Sequence, residues 1–221
     1  MHIPDGFLAP AVYTPLLVAQ AGFLYIAFKK TIKSAMDDSV LPFLASMAAF
    51  SFVVMMFNVP IPGGTSGHAT GIAVLAILFG PWVATFAVSV VLLLQALLFG
   101  DGGILAFGAN AISMAVIGAF SAYYANKALL KILPEKVAWF GAGYVAGVLS
   151  SAFVAVLLGI EPMFFVDSAG KPEFFPFGLN ITIPALVGSH ALFFAPFEGL
   201  IGVAVLSLVK KLNRNPVGAM Q

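Results

Sequence analysis

From Ser39 to Gly100 the sequence runs for 62 residues without one Asp, Glu, Lys or Arg. A membrane-spanning helix needs about 20 mostly apolar residues. The run is therefore long enough for more than one crossing. Shorter charge-free runs cover 6–28, 102–126, 137–160 and 174–197. Only 9% of the chain is charged and 61% is hydrophobic, against about 25% and about 45–50% in soluble domains. So little polar surface cannot cover a soluble fold. The expected class is an all-α integral membrane protein, with residues 1–221 forming a single transmembrane domain.

The breaks inside the long run set the count. Pro60, Pro62, Gly63 and Gly64 interrupt it once, and Gly80-Pro81 interrupts it again. The middle piece, about 68–79, is short for a crossing, because twelve helical residues reach only about 18 Å. Loop charge decides whether to count it. If it crosses, Lys29, Lys30, Lys33, Lys127, Lys131, Lys136, Lys210, Lys211 and Arg214 share one face, and only Lys171 lies opposite. Basic loops face the cytoplasm. The sequence thus predicts seven transmembrane helices at about 8–28, 41–57, 68–79, 81–99, 107–126, 137–159 and 180–209. The N-terminus is outside and the C-terminus cytoplasmic. No basic region precedes the first apolar stretch, so it does not read as a cleavable signal.

This topology puts two of the three histidines on one side. His2 follows the initiator Met1, and His68 ends a Pro- and Gly-rich loop, "NVPIPGGTSGHATG". A short third helix implies that this loop dips below the membrane surface, where irregular backbone survives only if buried in protein or lining a cavity.

Met1 and His2 together form a chelator. The amine of Met1 and the backbone nitrogen of His2 close a five-membered ring on a metal. That nitrogen and Nδ1 of His2 close a six-membered ring. Three nitrogens fall near one plane, and His68 is on the correct side to supply the fourth. Planar nitrogen sets suit Ni(II) or Cu(II), whereas Zn(II) prefers a tetrahedron. The absence of Cys excludes thiolate ligands. Methionine is trimmed mainly when residue two is small, and His is not. The stretch "IPDGF" reads as a tight turn that returns the terminus to the bundle.

Three stretches, "MHIPDGFL", "PIPGGTSGHATG" and "FGDGGILAFGAN", resemble the substrate-binding membrane subunit of nickel/cobalt energy-coupling factor transporters. The resemblance covers essentially the whole chain. It implies one Ni(II) or Co(II) held by the Met1 amine, the His2 amide and imidazole, and His68. The wording around His68 is closer to the nickel branch. It also implies a prokaryotic inner-membrane location, a transmembrane coupling subunit, cytoplasmic ABC-type ATPases and a further small membrane subunit as partners. No G-x-x-x-x-G-K-[ST] is present, so ATP hydrolysis belongs to the partners. No organic cofactor and no nucleic acid are expected.

Thr65, Ser66, Asp101 and Asn110 are candidates to support the ligands, since a metal-bound imidazole usually donates its other N–H. For Gly100-Asp101-Gly102-Gly103 and Asn110 a plain turn and a helix cap remain equally good readings. The resemblance also implies that a small-xxx-small face on an early helix docks the coupling subunit; Ala45 and Ala49 on helix two fit it, and Gly143 and Gly147 on helix six offer the same close approach. His190 and Glu198 are ionisable groups inside a span. They serve either as internal hydrogen-bonding groups or a subunit contact, or as the coupling-ion pair of a secondary transporter. Their spacing of eight leaves them about 80° apart around the helix. An intramembrane protease built on Ser66 and His68 is disfavoured, because the G-x-S-x-G elbow is not formed.

Overall fold

The structure, a computed structural model, describes residues 1–35, 40–61 and 65–212. Ser39, Pro62, Gly63, Gly64, Arg214 and Gln221, and the side chain of Lys33, lie outside the described residues. The protein is mostly helical, as its sequence requires. Helix α1 spans Pro10–Ala35 and α2 spans Val40–Met56. Strands β1, Val59–Ile61, and β2, Thr65–Gly67, follow. Helix α3 is Ile72–Phe79, α4 is Pro81–Leu94 and α5 is Phe107–Ala111. Helix α6 is Ala119–Leu129, α7 is Glu135–Phe164, α8 is Leu179–Thr182 and α9 is Ala195–Lys211. Several of these run on into one another. A π-helical segment at Ile112–Gly118 joins α5 to α6, and two more at Ile183–Gly188 and His190–Phe194 join α8 to α9.

Among the described residues, four helical stretches are long and apolar enough to cross a membrane: Pro10–Thr31, Pro81–Phe99, Glu135–Phe164 and Leu179–Lys211. Val40–Met56 is a shorter apolar helix. The breaks fall where the residues dictate. Gly80 adopts φ 83°, and Pro81 opens α4 at its first turn, where a missing N–H costs nothing. The stretch expected to be helical from about 68 starts at Ile72 instead. Gly71 takes a left-handed φ of 69° and ends the irregular backbone there, so His68 is on the loop and not on the helix.

The described residues of the Pro-rich loop include two short strands. β1 and β2 pair antiparallel, with Val59 opposite Gly67 and Ile61 opposite Thr65. Helix α3 is buried on nearly every face, as an apolar helix at the centre of a bundle must be. Helices α7 and α9 pack closely, and Gly143 and Gly147 explain why. A Cβ at Gly143 would lie 2.9 Å from the backbone of Gly199, and one at Gly147 would lie 3.0 Å from Ala195 Cβ. These glycines are used within the chain. Ala45 and Ala49 instead line a cleft of about 480 Å³ between α2 and α4, with Phe52, Phe86 and Val90.

Some polar groups inside the bundle are paired across helices. Ser113 and Ser150 each donate to the other's carbonyl at 2.9 Å, and Gln20 donates to Ser89 Oγ at 2.9 Å. At one end of the bundle Lys210 meets Glu135 at 2.5 Å, Lys30 lies over Trp82, and Trp82 packs on Phe120 beside Lys127's helical turn. The chain's first nine residues lie at the other end, where the Glu161 carboxylate accepts from the Ala9 N–H at 3.2 Å.

Candidate metal centre

The N-terminus is folded into the protein. Met1 is 1% exposed and Ile3 is fully buried. Two devices hold it there. Asn110 clasps the backbone of Ile3: the Ile3 N–H donates to Asn110 Oδ1 at 2.8 Å, and Asn110 Nδ2 donates back to the Ile3 carbonyl at 3.0 Å. The Gly103 N–H adds a bond to the same carbonyl at 2.8 Å. Asp5 then caps the turn that leads into α5, accepting from the N–H groups of Ile104, Leu105 and Ala106 at 3.1, 2.8 and 3.2 Å. Side-chain capping of this kind satisfies donors that have no helical partner.

These contacts explain the glycines of "FGDGG". A Cβ on Gly103 would sit 2.1 Å from Asp5 Oδ1 and 2.4 Å from its backbone nitrogen. Gly102, at φ +88°, would place a Cβ 3.0 Å from Asn110 Nδ2 and 3.6 Å from His2 Cβ. The loop is thus moulded directly onto the terminus. The tight turn expected from "IPDGF" is present, with Gly6 at φ 87°.

The terminal amine of Met1 donates to the Ser66 carbonyl, and Ser66 Oγ lies 3.4 Å away. The β1–β2 hairpin therefore brings the loop to the terminus. Burial is the dominant influence on the amine. It lowers the pKa from 8.0 to about 4, with Asp101 pulling the other way. At neutral pH this nitrogen carries a free lone pair. Burial likewise lowers the His2 pKa, opposed by the hydrogen bond that Nδ1 donates to Asp101. Burial pushes Asp101 upward, but the His2 hydrogen bond, the nearby positive charges and Asn58 together bring its net pKa below the ordinary value.

The His2 and His68 rings stack with centroids 4.7 Å apart and an interplanar angle of 27°. Nδ1 of His2 lies 2.8 Å from Asp101 Oδ1, and Asp101 Oδ2 accepts from Asn58 Nδ2 at 3.2 Å. Nδ1 of His68 lies 3.0 Å from the Ala69 carbonyl. A carbonyl can only accept, so Nδ1 carries the proton and Nε2 of His68 is a bare lone pair. Nε2 of His2 and Nε2 of His68 are both buried and have no hydrogen-bond partner. Beside them a cavity of about 220 Å³ opens past Pro4, Thr65, Ser66 and Asp101.

Most of the sequence candidates therefore converge. Met1, His2, Ser66, His68 and Asp101 meet at one place, and Thr65 lines the cavity with its Oγ1 unpartnered. Asn110 neither caps a helix nor contacts an imidazole nitrogen; it fixes the residue after His2. Ser66 Oγ faces the amine and His68 Nδ1 faces Ala69, an arrangement unlike a serine–histidine dyad. Among the described residues no three His, Cys, Asp or Glu side chains converge to hold an ion. A cation held here would need donors besides such side chains, from the main chain, a hydroxyl or water.

Sequence reasoning left the role of Glu198 open. Its carboxylate is buried and accepts from the N–H groups of Thr70 at 2.5 Å, Gly71 at 2.9 Å and Ala73 at 3.4 Å. It anchors the backbone just after His68 and caps α3, the internal hydrogen-bonding role weighed for it. No helical periodicity could have shown that a residue on α9 meets the first turn of α3.

A family described as "cobalt uptake substrate-specific transmembrane region" (CbiM) matches residues 2–216. The fused nickel transport protein NikMN of Rhodobacter capsulatus is 40% identical over 218 residues, 96% of this chain and 62% of that protein. The probable fused nickel transport protein LarMN of Lactiplantibacillus plantarum is 44% identical over 214 residues, 96% of this chain and 65% of that protein. The chain thus spans somewhat under two thirds of these fused relatives. The cobalt transport protein CbiM of Clostridium cellulovorans is 32% identical, with 100% of this chain and 83% of that protein aligned. The crystal structure of a truncated transition metal transporter superposes with a TM-score of 0.93 at 40% identity, covering 96% of this chain and 99% of that one.

Proposed function

The chain belongs to the cobalt uptake substrate-specific transmembrane region family, and from that premise we propose that it is the metal-binding subunit of an ATP-driven importer of Ni(II), with Co(II) as the alternative cargo. The ion is held by the Met1 amine, the His2 amide and imidazole, and His68. The observation that carries this reading is the stacked His2–His68 pair beside a buried, neutral amine, in a protein where no side-chain-only site exists among the described residues. Two imidazoles and two main-chain nitrogens make a set that suits planar Ni(II).

Asp101 Oδ1 lies 2.8 Å from Nδ1 of His2. Chelation through the His2 amide and Nδ1 replaces that contact, so the ring turns toward the ion and leaves the carboxylate. Asp101 keeps the ring beside the cavity until then.

The protein acts as a transport subunit and not as an enzyme. Seven helices cross the inner membrane of a prokaryotic cell, with the terminus outside and the basic end cytoplasmic. Partner proteins, a transmembrane coupling subunit, ATPases and a further small membrane subunit, supply the energy and the route of release. The cleft at Ala45 and Ala49 is open for docking, whereas Gly143 and Gly147 are consumed by α9. The family description and the clostridial relative favour cobalt; the fused relatives favour nickel.

The test is metal analysis of protein with an untouched terminus, beside protein carrying one extra residue before Met1. The native chain should hold one Ni(II). The extended chain should fold and lose affinity by about 100-fold or more, since each tenfold is ~1.4 kcal/mol. Unchanged binding by a well-folded extended chain would place the site elsewhere.

A further inference from the structure

The chain has three histidines, and all three are in the same unusual condition. Each ring is buried, each Nδ1 has a partner, and each Nε2 is buried with none. Two of them form the centre described above. The third, His190, is fully buried in a π-helical segment of the α8–α9 rod. Its Nδ1 lies 2.7 Å from the Leu186 carbonyl, so Nδ1 is the protonated nitrogen and Nε2 is a bare lone pair. Single π turns inside helices occur often at functional sites.

His190 is not remote from the centre, as its place mid-helix would suggest. Its ring packs on Phe194 at 5.0 Å. Phe194 in turn lies against Gly67, where a Cβ would come within 2.0 Å of its ring. Gly67 immediately precedes His68. The three rings have an order. His2 lines the outer cavity, whereas His68 and His190 do not. His68 stacks behind His2, and His190 reaches Gly67, the residue before His68, through the Phe194 ring.

We infer that His190 and His68 form a second, transient station for the divalent cation, reached from the resting chelate by exchanging one ligand at a time. The inference rests on the metal-binding reading above. His68 is common to both stations, so the ion is never stripped of all its nitrogens inside an apolar bundle, where a bare charge is unsupportable. His190 is not a resting ligand, because among the described residues no three His, Cys, Asp or Glu side chains, the three histidines included, converge to hold an ion.

The chemistry allows a clean test, since His68 and His190 are the only histidines left once His2 is gone, and Cys is absent. The full chain is prepared with His2→Ala and a short N-terminal extension, which removes both the chelate and the nearby amine. Cu(II) is the probe. Its electron paramagnetic resonance spectrum should show a weak site with two imidazole nitrogens. Adding His68→Ala or His190→Phe should each abolish the two-nitrogen signal. In the otherwise native chain, His190→Phe should still bind one Ni(II), with affinity changed less than about 3-fold and an unchanged planar absorption spectrum. His190→Gln serves if His190→Phe melts early. A two-nitrogen signal that is absent, or that survives without His190, overturns the inference. So does loss of the tight site in His190→Phe, which would make His190 a resting ligand. Native Ni(II) binding and its loss on extension, measured in parallel, report on the metal-binding reading separately.

Discussion

Asn110 holds Ile3 by both of its backbone groups, accepting from the N–H at 2.8 Å and donating to the carbonyl at 3.0 Å. Ile3 is separated from the proposed ligands by no residue at all. The clasp therefore fixes where the amine, the amide and the His2 ring can go.

Asn110→Ala removes both bonds and strands the buried Ile3 N–H. A stranded buried group costs about 1–3 kcal/mol. The variant should lose roughly that much stability in thermal or denaturant unfolding. Ni(II) affinity should fall at least about tenfold by titration calorimetry, equivalent to ~1.4 kcal/mol. A variant with lower stability and native affinity would show that the terminus finds its place without the clasp.

His68→Ala removes the fourth nitrogen while leaving the terminal chelate intact. Bound Ni(II) should drop well below one per chain in elemental analysis after gel filtration, and the planar absorption band should shift. Retention of one tightly bound ion would remove His68 from the ligand set.

Proton release changes from the value expected for an exposed terminus. An ordinary amine near pH 7.7–8.0 would release its proton on binding. The Met1 amine is lowered to about 4 by burial, so at pH 7 it has none to give. The His2 amide remains the main source, and calorimetry in buffers of different ionisation enthalpy should count about one proton. Affinity should fall about tenfold per pH unit near neutrality and more steeply as pH approaches 4. The same shift affects the metal-free fold. The unfolded chain binds the amine proton below about 8 and the folded chain only below about 4, so stability should decline as pH falls between them. A count near two at pH 7 would mean that the amine is solvated before metal arrives.

Glu198→Ala leaves the N–H groups of Thr70, Gly71 and Ala73 without their shared acceptor. Removing a carboxylate from a buried helix start should cost about 2–4 kcal/mol, above the usual surface cap. Glu198→Gln retains one acceptor oxygen and should recover part of it. Because these N–H groups follow His68 directly, Ni(II) affinity should fall with stability in Glu198→Ala. Transport lost with native stability and native metal binding would instead favour a coupling-ion role.

Much of this protein was decided by local sequence. Charge-free runs allow only a membrane bundle, and Gly80-Pro81 and the Gly71 turn mark helix ends through their own backbone preferences. The proposed terminal chelator is a local reading too, because its rings would close through covalently adjacent atoms and need no fold. Thr65, Ser66 and Asp101 were legible only as candidates. What the sequence could not carry is which distant groups satisfy which buried ones. Asn110 clasping Ile3, Asp5 capping residues 104–106, Glu198 anchoring the loop after His68, and His190 reaching Gly67 through Phe194 all join positions from about 100 to 130 residues apart. In an apolar bundle every polar group must find a partner, but many pairings satisfy that rule equally well. Only close packing, down to the glycines that let Asp5 and Phe194 approach, selects one of them.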